Sequence, residues 1–179
     1  MFNIKGIKLK TANCNIKYKD RDDVLLVHFE QEAEVAALFS QSSFTAAPLN
    51  WCKKIIKGGK ASSLIVNSGN ANSFTGKDGD LSLQRVVNKI SELLKCPQNQ
   101  IFMSSTGVIG EILEDQKITN QLPSIANNLK ENNQENWIKA AKAITTTDLV
   151  EKYSSKIARI NNKEIKINGI AKGSGMIAP

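Results

Sequence analysis

Apolar residues along this chain fall into short unbroken runs and longer periodic stretches, and the two alternate. Val24-Leu25-Leu26-Val27-His28-Phe29 follows a polar turn and is rich in branched and aromatic side chains, which predicts a strand buried on both faces. Residues 48–56 predict a helix with Pro48 in its first turn, ended by Gly58-Gly59 where a left-handed cap is needed. Residues 62–67 read as a second strand. Over residues 80–95, Leu83, Val86, Val87, Ile90, Leu93 and Leu94 recur at helical spacing, with Pro97 closing the helix. Ile101-Phe102-Met103 predicts a third buried strand. Two helices follow, over residues 118–129 and 137–144, separated by a polar stretch. Residues 156–160 and 164–168 then alternate in period two about Asn161-Asn162-Lys163, the signal of a hairpin. Strand and helix in this order predict an α/β layered fold, with residues 1–179 belonging to one domain.

A length of 179 residues with 41% apolar content suits one such domain. No window approaches the roughly 20 apolar residues of a membrane span, and the N-terminus lacks the charged-then-apolar order of a secretory signal, so no membrane association and a cytoplasmic location are expected. Cys14, Cys52 and Cys96 are widely spaced with His28 as the one imidazole, which argues against a disulfide framework and against a metal site. The thiols are expected to be reduced and structural, and His28 to be a packed histidine satisfied by a backbone partner. A net charge of +7 raises nucleic acid as a partner, but the lysines are interspersed with acids and no aromatic residues interleave a basic run. The charge is read as a solvated face, part of which would favour an acidic partner subunit.

Certain segments carry candidate chemistry. Residues 67–76, Asn-Ser-Gly-Asn-Ala-Asn-Ser-Phe-Thr-Gly, can turn N–H groups inward around an anion or form a well-made turn. Ser104-Ser105-Thr106-Gly107-Val108-Ile109-Gly110 sets a hydroxyl beside a side-chain-free amide. Those two donors suit the oxygen of a tetrahedral adduct, and Thr106 as a helix cap is the plainer alternative. Thr145-Thr146-Thr147-Asp148 ends a helix and displays hydroxyls. Lys172, followed by Gly173-Ser174-Gly175, is an unobstructed point charge suited to a carboxylate. No nucleophile and base accompany these groups, and Met176-Ile177-Ala178-Pro179 reads as an interruption, so half of an active site is expected.

Taken in order, Val66 to Asn72, Ser104 to Gly110, Thr146-Thr147-Asp148 and Lys172 to Pro179 resemble the α chain of the ornithine acetyltransferase family, the bifunctional glutamate N-acetyltransferases of arginine biosynthesis. The resemblance runs from about Gly6 to Pro179. It implies a layered α-β-β-α sandwich of the self-processing ornithine acetyltransferase and aminopeptidase type, completed by a β chain. That β chain is cut from the same precursor ahead of a threonine, and the pair would assemble as an α2β2 heterotetramer. It implies an oxyanion hole from the Thr106 hydroxyl and the Gly107 amide, and substrate contacts from Thr146 and Lys172. The implied reaction passes an acetyl group from N-acetylornithine to glutamate through an acetyl-threonine on the β chain, with no cofactor and with acetyl-CoA left open as a further acetyl donor. Thr145, Leu149 and the Ser73-Phe74 pair depart from the family pattern without touching Thr106, Gly107 or Lys172. An amidase or aminopeptidase of the same fold is the nearest rival, and a basic binding protein without catalysis is a rival from another class.

Overall fold

The computed structural model describes residues 1–175. Its centre is a five-stranded mixed sheet built from β1 (Ile7–Ala12), β2 (Val24–Glu34), β3 (Lys60–Asn70), β4 (Ile101–Val108) and the two-residue β5 (Lys130–Glu131), in the order β4-β3-β2-β1-β5. Neighbours run antiparallel except β3 and β4, which are parallel. A parallel pair needs a long crossover, and α2 (Gly76–Leu94) supplies it. The remaining helices are α1 (Ala47–Ile55), α3 (Asp115–Thr119), α4 (Leu122–Asn127) and α5 (Gln134–Ala143).

Because side chains alternate across a strand, β2 serves two layers at once. Val24 and Leu26 pack with Ile65, Ile101 and Met103 under the apolar stripe of α2 and the buried residues of α3 and α4. Leu25 and Val27 face the other way and pack with Leu9 under Trp137, Ala140 and Ala143 of α5. Helix α1 lies along β4, where Cys52 and Ile55 meet Ala61 and Phe102. That explains the continuous apolar run at residues 24–27, all buried.

The predicted strands and the hairpin are present. Strand β1 was not anticipated, although Ile7, Leu9 and Thr11 alternate with Lys8, Lys10 and Ala12 in the period of a half-buried strand. The single helix expected over residues 118–129 is two short ones, because Pro123 cannot donate to a continuing helix and opens α4 instead. The hairpin pairs β6 (Lys152–Ile160) with β7 (Lys163–Ala171), and Asn161 and Asn162 both take positive φ, 50° and 62°, as a two-residue type I′ turn requires. It forms a separate two-stranded sheet, anchored where the Asn168 side chain exchanges hydrogen bonds with the Phe2 backbone at 2.9 and 2.7 Å.

His28 Nδ1 lies 3.0 Å from the Ser62 carbonyl, the packed arrangement expected for it. All three cysteines are free and buried, and burial pushes the Cys14 thiol up to about 12. Among the described residues no helix is long and apolar enough to cross a membrane. The same residues hold no cluster of His, Cys, Asp and Glu able to bind a metal ion. Met176 to Pro179 lie outside the described residues.

Candidate active site

The site is built at the carboxyl ends of the parallel pair β3 and β4, where open α/β sheets commonly place ligands. Thr106 is therefore a strand residue and not a helix cap. It is half-buried, and Gly107 beside it is exposed with φ 136°. Gly107 lies against Gly69, and a Cβ there would sit 2.3 Å from the Gly69 carbonyl carbon and 2.6 Å from the Asn70 nitrogen. The glycine is thus required by its own neighbouring strand, whatever part its amide plays as a donor.

Residues 67–76 are the scaffold of this junction. Asn67, Ser68, Asn70 and Asn72 are all buried. Asn67 Nδ2 donates to the Asn70 carbonyl at 2.9 Å and its Oδ1 accepts from Ser105 at 2.5 Å. Asn70 Oδ1 accepts from the Asn72 amide at 2.7 Å, and Asn72 Nδ2 donates to the Gly79 carbonyl at 2.9 Å. The amides of Ala71 and Gly110 close the two loops on each other through the Val108 and Ser73 carbonyls. These asparagines bind backbone and neighbouring hydroxyls, so of the two readings the segment is the well-made turn, a satisfied polar core that fixes the end of β4.

Lys172 reaches this strand end from the far side of the hairpin. Its Nζ donates to Thr106 Oγ1 at 2.8 Å and to Thr146 Oγ1 at 2.9 Å, so residues distant in sequence meet at one ammonium. The neighbouring threonines do different work. Thr145 is buried, its hydroxyl donating to the Lys142 carbonyl at 2.7 Å and accepting from Arg21 at 2.8 Å. Thr147 is exposed, and Thr146 alone presents its hydroxyl to Lys172. The expected display of hydroxyls at this helix end therefore fails at Thr145, and Thr146 alone of the three brings its hydroxyl to Lys172.

Two further residues hold the arrangement together and were not singled out from the sequence. Arg21 stacks over the Tyr18 ring at 3.9 Å while its guanidinium binds the hydroxyl and the carbonyl of Thr145, tying the end of α5 to the sheet. The Asp148 carboxylate is fully buried and accepts from Lys152 Nζ at 2.6 Å, the Gly173 amide at 2.7 Å and the Thr146 amide at 3.2 Å. Burial alone would push this carboxyl up. The Lys152 ammonium and the two amides outweigh it and hold Asp148 well below the usual carboxylate range.

The chemistry of the cluster follows from its donor inventory. A hydroxyl that accepts from an ammonium keeps its own hydrogen for another acceptor, and the cation makes that hydrogen a stronger donor. Thr106 is so placed, next to the exposed Gly107 backbone. An ammonium has three N–H groups, and Lys172 spends two on the threonines. The cluster opens onto a cavity of about 560 Å³ floored by Leu25, Val27, Leu64 and Val66, with Thr106 and Lys172 on its rim. A second apolar cavity of about 540 Å³, bordered by α1 and Phe102, adjoins it through Phe29 and Leu64.

The family model for ArgJ matches residues 8–179. This chain belongs to the ArgJ family. The "arginine biosynthesis bifunctional protein ArgJ" of Bartonella henselae is 44% identical over 98% of this chain, and that of Rhizobium meliloti is 42% identical over the same share. The chain spans 42% of the length of each. The crystal structure of the Bacillus halodurans arginine biosynthesis bifunctional protein argJ superposes with a TM-score of 0.89 at 36% identity, covering 98% of this chain and 90% of that one. An ornithine acetyltransferase from Mycobacterium tuberculosis, crystallised with ornithine, gives 0.87 at 26% identity over 98% and 92%. The fold is that of ArgJ.

Proposed function

We propose that this chain supplies the oxyanion donors and part of the amino-acid pocket of a glutamate N-acetyltransferase, the ornithine acetyltransferase of arginine biosynthesis. The observation that carries the reading is the meeting of Thr106, Thr146 and Lys172 at one ammonium, 2.8 and 2.9 Å from the two hydroxyls, at the end of a parallel strand pair. Membership of the ArgJ family supports it.

In the proposed cycle a threonine at the N-terminus of a β chain, cut from the same precursor, attacks the acetyl carbon of N-acetylornithine. Its α-amine, with an ordinary pKa of about 8, takes the hydroxyl proton. The Thr106 O–H and the Gly107 N–H donate to the oxygen as it becomes negative. The amide C–N bond breaks, ornithine leaves with the proton, and an acetyl ester remains. The glutamate amine then attacks the ester carbon, the C–O bond breaks, and N-acetylglutamate departs with the threonine restored. Lys172 and Thr146 hold the amino-acid carboxylate of each substrate in turn, the third N–H of Lys172 pointing the charge.

The apolar strip over Phe29, Leu64 and Phe102 suits a second sheet packed face to face, and we assign it to the β chain within a cytoplasmic α2β2 assembly. No cofactor enters this cycle, and acetyl-CoA would serve as a further acetyl donor to the same threonine. Full-length enzyme is expected to release ornithine from N-acetylornithine many times faster with glutamate than without, forming N-acetylglutamate in equal amount. Ornithine release at one rate in both conditions, with free acetate as product, would make it an amidase.

A further inference from the structure

We propose that Asp148 is a positioning residue for acetyl transfer, a carboxylate that fixes Thr146 and Lys172 relative to Thr106 by binding the backbone on either side of the hairpin root. The proposal rests on the reading of the site given above. The β6–β7 hairpin leaves the body of the protein after Asp148 and returns at Lys172, so the substrate lysine stands at the end of a long excursion. Most of that excursion is exposed, and its strands pair with each other and with no strand of the main sheet. Pairing within the hairpin aligns Lys152 with Ala171 and so brings its two ends together, but it does not fix them on the sheet.

Asp148 does fix them. One oxygen, Oδ1, accepts both the Gly173 amide on the returning strand at 2.7 Å and Lys152 Nζ on the departing strand at 2.6 Å. The other, Oδ2, accepts the Thr146 amide at 3.2 Å on the segment held to the sheet by Arg21 and Thr145. The residue after Lys172 and Thr146 itself are therefore joined through one buried, rigid group. A carboxylate suits this task because it only accepts, offers lone pairs in two directions, and binds amides more strongly when charged. The hydrogen bonds of Asp148 go to Lys152, Gly173 and Thr146, while those of Lys172 go to Thr106 and Thr146. The charge persists at neutral pH, since its partners hold the carboxyl low.

The test compares full-length processed enzyme with its Asp148→Asn and Lys152→Met variants. Asp148→Asn trades one accepting oxygen for a donor that opposes an amide. Its KM for N-acetylornithine is expected to rise by about tenfold, the size of one lost charge-assisted hydrogen bond, with kcat falling less. Lys152→Met removes the ion pair but leaves both amide contacts, so it should lower the melting temperature as Asp148→Asn does while KM stays within about twofold. An unchanged KM in Asp148→Asn, or an equal rise in Lys152→Met, overturns the proposal. Residue-resolved hydrogen exchange on the wild-type enzyme decides the matter if Asp148→Asn does not fold. The Gly173 and Thr146 amides should be strongly protected, and exchange of Gly173 at the rate of an open chain overturns the clamp. Wild-type enzyme that exchanges slowly at both amides but transfers no acetyl group refutes the acetyltransferase reading and leaves the clamp standing.

Discussion

At the scale of single residues, Thr106 and Gly107 are adjacent in sequence yet carry separable duties. Thr106 is half-buried in a strand that other residues already hold, and its hydroxyl faces Lys172 and the cavity. Gly107 is locked by its neighbour, with φ 136° and no room for a Cβ against the Gly69 backbone. Replacing Thr106 by the nearly isosteric valine should lower acetyl transfer by about 10² to 10³ while the melting temperature stays close to wild type. Gly107→Ala should instead cost stability, by roughly 3 kcal/mol or more from backbone clash and strained φ together. Thermal unfolding and steady-state rates on the pair check this. A Gly107→Ala protein with wild-type stability, or a Thr106→Val protein with wild-type turnover, contradicts the assignment of duties.

At the scale of elements, the site is three chain segments converging on one strand end, and they were unequally legible in the sequence. The runs that became β2, β3, β4 and α2 were legible because each is buried by a face whose period is written in its apolar residues. The hairpin was legible from its asparagine pair, which both take positive φ. The hydroxyls and the lysine were legible as residue types, and the family resemblance joined them. Their meeting was not legible, since it depends on where a hairpin returns. Asp148 and Arg21 were missed for the same reason: an acid or a base in a polar stretch looks solvated until the fold buries its partners around it. The ammonium and amides around Asp148, which outweigh its burial, have a measurable consequence. Its folded pKa lies below the ordinary 3.8, so its stabilisation is fully present above about pH 4 and is lost as pH falls toward the folded value. The stability gap between wild type and Asp148→Asn should therefore hold from about pH 8 to 5 and narrow steadily below about 4. Asp23, which burial pushes up, titrates in both proteins and cancels in the comparison. A gap that stays constant into acid would show that the carboxylate is not what stabilises the hairpin root.

At the scale of the whole molecule, two features point outward from this chain. The open face of the sheet presents adjoining apolar cavities of about 540 and 560 Å³, with the donor cluster of Thr106, Thr146 and Lys172 at their edge. The chain matches 42% of the length of its ArgJ relatives. Both features suit the proposed cradle, whose reacting group arrives on another chain. The most direct test is to mix full-length processed enzyme with N-acetylornithine in the absence of glutamate, quench it in acid and weigh each chain intact. One acetyl group should appear on the proposed companion chain beginning with threonine, none on this chain, and added glutamate should remove it. An acetyl group on this chain, or turnover with neither chain acetylated, would contradict the account.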